Sequence, residues 1–363
     1  MKEAELVIVG AGPAGLSAAI EAAKAGVKVM ICDENQRAGG QLFKQIHKFF
    51  GSRAHQAGTR GIDIGQNLLN EVEKIGVDVK LDAVVWGIFS DRRVGIVHEG
   101  KNTLVKAKKI LLATGAAENV LAFPGWTLAG VMGAGAIQTM VNVHRVLPGK
   151  NVLMIGSGNV GLIVSYQLMQ AGAKVAAIVE AMPRIGGYAV HASKVRRAGV
   201  PILTSTTIKE AKGKEKVEKA VIIKLDDKFK QVAGSEKEFD VDVICLAVGL
   251  SPLAELAWMA GCKFTDVPEL GGLLAIHNED METTVPGIYV AGDIAGIEEA
   301  STAIEEGRLA GIAIAESLGY INAAAAKEQK QQIYKRSDQL RDGPFGIGRR
   351  KAKEVLISRS LKQ

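Results

Sequence analysis

A glycine-rich turn that follows a short apolar strand, opens a helix and is closed by a second strand ending in an acid occurs twice in this 363-residue chain. The first copy reads ELVIVG, AGPAG, LSAAIEAAKAG and VKVMICD, ending at Asp33. The second reads NVLMIG, SGNVG, LIVSYQLMQAG and AKVAAIVE, ending at Glu180. Each fills the roughly 30 residues that a βαβ unit requires. The likeness continues beyond the acid: Asp33-Glu34-Asn35-Gln36-Arg37-Ala38-Gly39-Gly40 returns 147 positions later as Glu180-Ala181-Met182-Pro183-Arg184-Ile185-Gly186-Gly187. Two copies of one nucleotide-binding unit are the simplest account, and they make the fold class α/β with two Rossmann-like domains.

Each residue of the first turn has a physical task. Gly10 makes the tight turn out of the strand, Gly12 lets the backbone approach a pyrophosphate, and Gly15 lets the helix pack closely on the sheet. Pro13 and Ala14 complete the turn and start a helix whose first N–H groups and dipole favour negative charge. Asp33 is placed to accept from an adenosine ribose hydroxyl, and Glu34, one position on, can share that task. In the second copy Gly156, Gly158 and Gly161 do the same work, with Ser157, Asn159 and Val160 between them and Gly249 closing the site. A carboxylate at Glu180 repels a 2′-phosphate, so this site is expected to prefer NAD(H) to NADP(H), although Arg184 nearby pulls the other way. The bland alternatives are a glycine turn without ligand in the first copy, and a second site that binds only an adenine nucleotide, or nothing.

Three further segments close the first site. KKILLATG is an apolar strand ending at Ala113, Thr114 and Gly115, which returns the chain to the first nucleotide. The turn Gly39-Gly40-Gln41 gives another close backbone approach. Near residue 290 the chain reads IYVAGDIAGIEEASTAIEEGRLAGIAIA, a strand ending at Gly292-Asp293, a loop, and a helix starting near Ser301-Thr302. Asp293 is expected to accept from a ribityl hydroxyl, its alternative being a helix cap. The helix start can stabilise negative charge on the N1–C2=O edge of a reduced flavin. Val85 joins these residues in the expected FAD set.

The segment from Leu42 to Gly61 follows the glycine pair and is expected near the flavin. It concentrates Lys44, His47, Lys48 and His55, of which His47 is the candidate for proton gating, against a plainly solvated histidine. There is no Ser–His–Asp order and no HExxH, so hydrolysis has no support, and no metal set is assigned. Redox chemistry would belong to the flavin, with the protein supplying position and electrostatics.

Composition excludes other classes. Glycine numbers 42, against about 25 at the usual 7%. Cys32, Cys245 and Cys262 lie far apart, which rules out an internal disulfide framework and disfavours a cluster or structural zinc held by this chain alone. No stretch approaches the roughly 20 apolar residues of a membrane span, and the charged start runs straight into a strand, so a cytoplasmic chain is expected. The formal charge of +6 is uneven: residues 327–363 carry +7 and the rest −1. Only Tyr334 and Phe345 could stack on bases there, so nucleic acid is not an expected partner. Gly343 to Arg350 reads as an ordered turn and a short helix, and the segment is expected to be a solvated tail or a docking element for a partner protein.

Taken together, GAGPAG, the Asp33-Glu34 acids, ATG at Ala113 to Gly115, GSGNVG, AVG at Ala247 to Gly249 and AGD at Ala291 to Asp293 resemble the two-dinucleotide-binding-domain flavoproteins of the glutathione and thioredoxin reductase superfamily. The resemblance covers about residues 4 to 320. More narrowly, GGQ at Gly39 to Gln41 and FPGWTLAGVMGAGAIQ at Phe123 to Gln138 are similar to the FAD- and nucleotide-binding subunits of multisubunit amine dehydrogenases. That group includes heteromeric sarcosine oxidase, hydrogen cyanide synthase, opine oxidase and dye-linked proline dehydrogenase. The resemblance implies FAD in the first site and NAD(H) or another adenine nucleotide in the second. It also implies a second domain inserted in the first: residues 1–120 and 251–320 for FAD, 121–250 for the other nucleotide, and 321–363 as the basic tail. The departures matter as well. Without a cysteine pair, thioredoxin, glutathione and lipoamide reduction are excluded, and any iron–sulfur cluster would sit on a separate polypeptide.

Two function classes follow. In the first the chain serves electron transfer within a complex, beside a small iron–sulfur protein and a catalytic flavoprotein subunit. In the second it is a standalone NADH-dependent reductase of ferredoxin, quinone or dye. A nucleotide-stabilised structural subunit is the non-enzymatic alternative.

Overall fold

Leu6, Val7 and Ile8 have no exposed surface, as a strand apolar at every position requires when both its faces are covered. They lie in β1 (Lys2–Val9), from which the chain passes through α1 (Pro13–Lys24) into β2 (Val29–Cys32). Next come α2 (Gly61–Ile75), β3 (Asp78–Lys80), β4 (Val84–Ile88), β5 (Arg93–His98) and β6 (Lys101–Leu112). Helix α2 buries Ile64, Leu68 and Val72, one stripe at helical spacing, and stops at Gly76, whose φ of +80° suits a left-handed cap. The strands form one sheet in the order β3-β2-β1-β6-β5-β4. β1, β2 and β3 run parallel, β1 runs parallel to β6, and β4 and β5 form an antiparallel ribbon on the first half of β6.

The computed structural model describes residues 2–343 and 346–360. It divides into two units: residues 1–117 with 250–363, and residues 118–249 inserted between them. The second unit holds β7 (Val131–Gly133), α3 (Ala134–Asn142), β8 (Asn151–Ile155), α4 (Asn159–Gln170), β9 (Lys174–Val179), α5 (Ala189–Arg197) and β10 (Ile202–Leu203). An antiparallel meander follows, β11 (Thr206–Lys212), β12 (Lys219–Lys224) and β13 (Lys237–Asp240), and then β14 (Val243–Leu246). The main sheet here is parallel throughout, in the order β10-β9-β8-β14-β7. This is the two-domain α/β architecture expected from the repeat.

Back in the first unit, β15 (Ile288–Val290) adds a parallel strand beside the end of β6. It leads to α6 (Ala300–Ser317), α7 (Ala323–Leu340) and α8 (Ile347–Ser360). Helix α6 packs on α1 through Gly307 and Gly311, where a Cβ would collide with the carbonyl oxygens of Ala14 and Ala18. The close approach therefore depends on two glycines one turn apart. The basic segment is not a free tail: α7 and α8 fold onto this unit. Lys330 sits between Asp280 (2.7 Å) and Glu316 (2.6 Å), and the Tyr334 hydroxyl donates to the Glu279 carbonyl. Pro344 and Phe345, within the turn expected at Gly343 to Arg350, lie outside the described residues. No helix among the described residues is long and apolar enough to cross a membrane.

Candidate functional site

Strand register brings the distant motifs to one edge. Val9 is paired with Cys32 on one side and Leu112 on the other, and Leu112 with Val290. The next residues along each strand are Gly10, Asp33, Ala113 and Ala291, so four motifs far apart in the chain leave adjacent parallel strands at the same carboxyl end. In the second unit Ile155 is paired with Val179 and Leu246, which sets Gly156, Glu180 and Ala247 side by side. The crevice beyond the carboxyl ends of parallel strands is where α/β sheets bind ligands.

The three glycines of the first turn differ in what holds them. Gly10 has φ +104°, and a Cβ there would strike the Ala113 carbonyl. A Cβ on Gly15 would strike the carbonyl of Gly10. Gly12 is extended, and a Cβ on it would meet nothing within 4 Å. Fold packing thus requires the first and third glycines, whereas the second faces open space at the start of α1. That start has no side-chain cap and no acid in its first turn, so its N–H groups are suited to a diphosphate. The Asp33 carboxylate accepts from the Ala11 N–H (2.6 Å) and, on its other oxygen, from the backbone and side-chain N–H groups of Asn35 (both 2.8 Å). These bonds hold the acid against the turn, and the oxygen facing Ala11 keeps acceptor capacity for a ribose hydroxyl. Glu34 is exposed beside it. The Gly39 N–H donates to the Ala11 carbonyl (2.7 Å), and a Cβ on Gly40 would come within 2.9 Å of the Gly12 Cα. Gln41, exposed, is the second residue of the short helical turn Gly40–Lys44.

The second turn repeats this arrangement. Gly156 has φ +103° and no room toward the Ala247 carbonyl, Gly161 packs on the carbonyl of Gly156, and Gly158 faces open space. Glu180 takes the part of Asp33: one oxygen accepts from the Ser157 N–H (2.9 Å) and hydroxyl (2.6 Å), the other from the Met182 N–H (2.9 Å). The Gly187 N–H donates to the Ser157 carbonyl, and the Tyr188 N–H to the Asn159 side chain. Val160 is exposed on the first turn of α4. Gly249 has φ +108°, and its carbonyl accepts from the Asn119 N–H.

Gly292 and Asp293 leave β15 at the same edge as Gly10. The Gly292 N–H donates to Glu306 (3.1 Å), and a Cβ on Gly292 would meet the Ala14 side chain. Burial pushes the Asp293 carboxyl up to about 6, and the nearby Glu306 adds to the rise. Ser301 and Thr302 are buried in the first turn of α6. The Thr114 hydroxyl donates to the Leu253 carbonyl and so fixes the exit of β6.

Some expected residues fall elsewhere. Val85 lies within β4 opposite Ile96 in the antiparallel ribbon, two residues beyond Ala83. The Ala83 N–H donates to the backbone carbonyl of Asp33 (2.9 Å). The ring of His47 stacks on Phe49. His55 accepts from the Ser52 hydroxyl and donates to the Arg336 carbonyl of α7, a structural role. Sequence reasoning missed Glu298, Glu306, Arg341 and Lys353, a buried ionic group beside Asp293 that no spacing rule connects. All three cysteines are free and buried, and burial raises each thiol, Cys32 to about 11.

The glycine cradle open at Gly12, the uncapped start of α1, the acid at Asp33 and the half-buried acid at Asp293 fit a flavin adenine dinucleotide. Two such α/β units, each with a parallel sheet and a glycine turn at the carboxyl end of its strands, define the class: a two-domain α/β fold of the FAD/NAD(P) oxidoreductase type. The chain belongs to the pyridine nucleotide-disulphide oxidoreductase family, which matches residues 4–307. It is 31% identical over 337 residues to one of the subunits of opine oxidase from Agrobacterium tumefaciens, covering 85% of this chain and 65% of that protein. The chain therefore spans just under two thirds of that relative. It is 27% identical to the HcnB subunit of hydrogen cyanide synthase from Pseudomonas aeruginosa, covering 98% of this chain and 80% of the relative. Both relatives are named as subunits of larger enzymes, in line with the resemblance read from the motifs. Among solved structures, thioredoxin reductase of T. acidophilum shares the fold, with a TM-score of 0.73, 22% identity and coverage of 88% and 99%.

Proposed function

We propose that this chain is the FAD- and nucleotide-binding electron-transfer subunit of an amine or N-substituted amino acid dehydrogenase complex. Its partners in this reading are a small iron–sulfur protein and a catalytic flavoprotein subunit. The observation that carries the proposal is a glycine turn open at Gly12 in a chain without a redox disulfide: Cys32, Cys245 and Cys262 are buried, free and raised in pKa. Electrons must therefore pass to a group on another molecule. The relatives named as oxidase and synthase subunits support the same reading.

When bound, FAD supplies the redox chemistry. The chain's own residues bind and orient. The N–H groups at the start of α1 hold the diphosphate beside Gly12, Asp33 accepts from the ribose and Asp293 from the ribityl chain. The start of α6 favours negative charge at the flavin end. In the second unit the start of α4 and Glu180 hold NAD(H) or another adenine nucleotide.

The test is anaerobic titration of the purified chain with NADH while the flavin absorbance near 450 nm is followed, beside co-expression with the products of neighbouring reading frames. The proposal expects a stable hetero-oligomer and slow turnover of soluble acceptors by the chain alone. A homo-oligomer that forms no complex and reduces ferredoxin, quinone or dye rapidly with NADH would replace it with the standalone reductase.

A further inference from the structure

Five carboxylates lie in the loop after β15 and the first turns of α6; Glu299 is the more exposed one, 3.9 Å from Arg349 of α8, and the other four crowd together: Asp293, Glu298, Glu305 and Glu306. The last three have side chains only 4%, 2% and 6% exposed. Buried carboxylates without partners are strongly unfavourable, so each needs a cation or a set of donors. One cation, Arg308, comes from α6 itself and lies 2.6 Å from Glu305. The other three come from the C-terminal helices. Arg336 of α7 pairs with Glu305 (2.8 Å). Arg341, at the end of α7, grips Glu298 through Nε and Nη2 and also reaches Glu306 (3.0 Å). Lys353 of α8 lies 2.8 Å from Glu306 and donates to the Ala295 carbonyl (2.7 Å).

The ammonium of Lys353 is thus joined through Glu306 to the N–H of Gly292, the residue before Asp293. Its second bond, to Ala295, holds the loop on the other side of Asp293. The same helices are anchored independently of these charges: Ala352 and Leu356 pack with Val267, Leu270, Leu274 and Ile276, and the Arg336 carbonyl accepts from His55. A helix start carries about half a positive charge, which four uncompensated carboxylates would reverse.

We propose that α7 and α8 are an electrostatic clamp on the flavin end of the first unit, with Arg341 and Lys353 as positioning residues that hold the Gly292–Ala295 turn and offset its carboxylates. The inference rests on the assignment of FAD to this unit. It makes two demands: the cations retain FAD, and they keep the potential at the flavin end more positive, which favours the reduced, negatively charged cofactor.

The experiment compares the full-length protein with Lys353→Met, Lys353→Arg and the double variant Lys353→Met/Glu306→Gln. FAD retained after gel filtration, FAD affinity and the flavin midpoint potential by dye equilibration are measured, with the exposed Lys335→Met as a control for net charge. Lys353→Met is expected to bind FAD at least ~10-fold more weakly and to shift the midpoint to more negative values. Lys353→Arg and the double variant, which restore or remove the charge as a pair, are expected to return both readings toward wild type. Equal affinity and potential in Lys353→Met and wild type overturn the clamp, as does a Lys335→Met shift of the same size. If Lys353→Met does not fold, the double variant decides: folded protein with FAD at the wild-type potential supports the clamp, and any other outcome overturns it. Wild-type protein that takes up no FAD at all overturns the cofactor assignment beneath it, a result distinct from loss in the variants.

Discussion

The Nζ of Lys353 lies 2.8 Å from Oε1 of Glu306, with both side chains almost wholly buried. Glu306 in turn accepts from the N–H of Gly292, so a residue of α8 is two hydrogen bonds from the turn that carries Asp293. Tertiary structure thereby reverses the simplest view of the charge distribution. Lys330, Arg336, Arg341 and Lys353 all form ion pairs with acids outside the segment, leaving far less of the local +7 for an outside partner.

The two classes of glycine in the first turn give a direct separation of fold from binding. Gly12→Ala keeps an extended backbone and meets no atom within 4 Å, so stability should stay within about 0.5 kcal/mol. FAD affinity should fall at least ~10-fold as the methyl enters the diphosphate space. Gly10→Ala must instead place a Cβ against the Ala113 carbonyl at φ +104°, at a cost of about 3 kcal/mol or more. Thermal melts of the flavin-free proteins together with FAD titration check this. Comparable destabilisation by both changes would remove the distinction.

Parallel strands buried on both faces leave unbroken apolar runs, and a glycine or acid marks where each run ends. That is why the edge formed by Gly10, Asp33, Ala113 and Ala291 was legible in the sequence. The backbone bond from Ala83 to the Asp33 carbonyl was not legible, because a main-chain donor two residues before Val85 leaves no mark in the side-chain pattern. The bond from Ala11 to Asp33 was also hidden, since a motif indicates that an acid is present but not which N–H it accepts from. The ionic group lay furthest from view. Arg341 and Glu298 are 43 positions apart, and an arginine in a basic segment carries no mark of a buried partner.

Asp293 sets up a trade between stability and binding. Its carboxyl is raised by burial, and further by Glu306, to about 6 from 3.8. For a raised acid the folded state holds its proton more tightly than the unfolded state. Stability therefore falls as pH rises through the window from about 4 to 6 and is lower by a constant amount above it, on the order of 3 kcal/mol. Asp293→Asn should stabilise the flavin-free protein at pH 8, with the gain roughly halved at pH 5, and should weaken FAD binding. Chemical denaturation at both pH values is the measurement. A gain independent of pH would mean that ionisation of Asp293 is not its source.

The thiols should be inert in the folded chain. Cys32, Cys245 and Cys262 are buried and their pKa values raised by that burial, and it is the thiolate that reacts. Ellman's reagent at pH 8 should titrate less than one thiol per native chain and about three after denaturation. Replacing all three with serine or alanine should leave NADH-dependent flavin reduction, where it occurs, within about twofold, apart from effects of packing. Rapid modification of one thiol accompanied by loss of reduction would place a cysteine in the electron path.

Glu180 should determine which nucleotide the second unit prefers. Its carboxylate is held by Ser157 and the Met182 N–H at the mouth of the turn, where the adenosine ribose of a bound dinucleotide would lie. A second negative charge on that ribose would sit a few ångströms from the acid, and at an effective dielectric near 20 the repulsion amounts to a few kcal/mol. The wild type is therefore expected to favour NADH over NADPH by at least ~10-fold, about 1.4 kcal/mol. Glu180→Ala should narrow that ratio, with weaker NADH binding as the ribose acceptor is lost, and Arg184 is then available to favour the phosphate. Because the carboxylate also braces the Ser157 turn, the ratio of the two affinities is the informative reading, measured by calorimetry on the same preparations. An unchanged ratio in Glu180→Ala would show that the acid supports the turn without selecting the nucleotide.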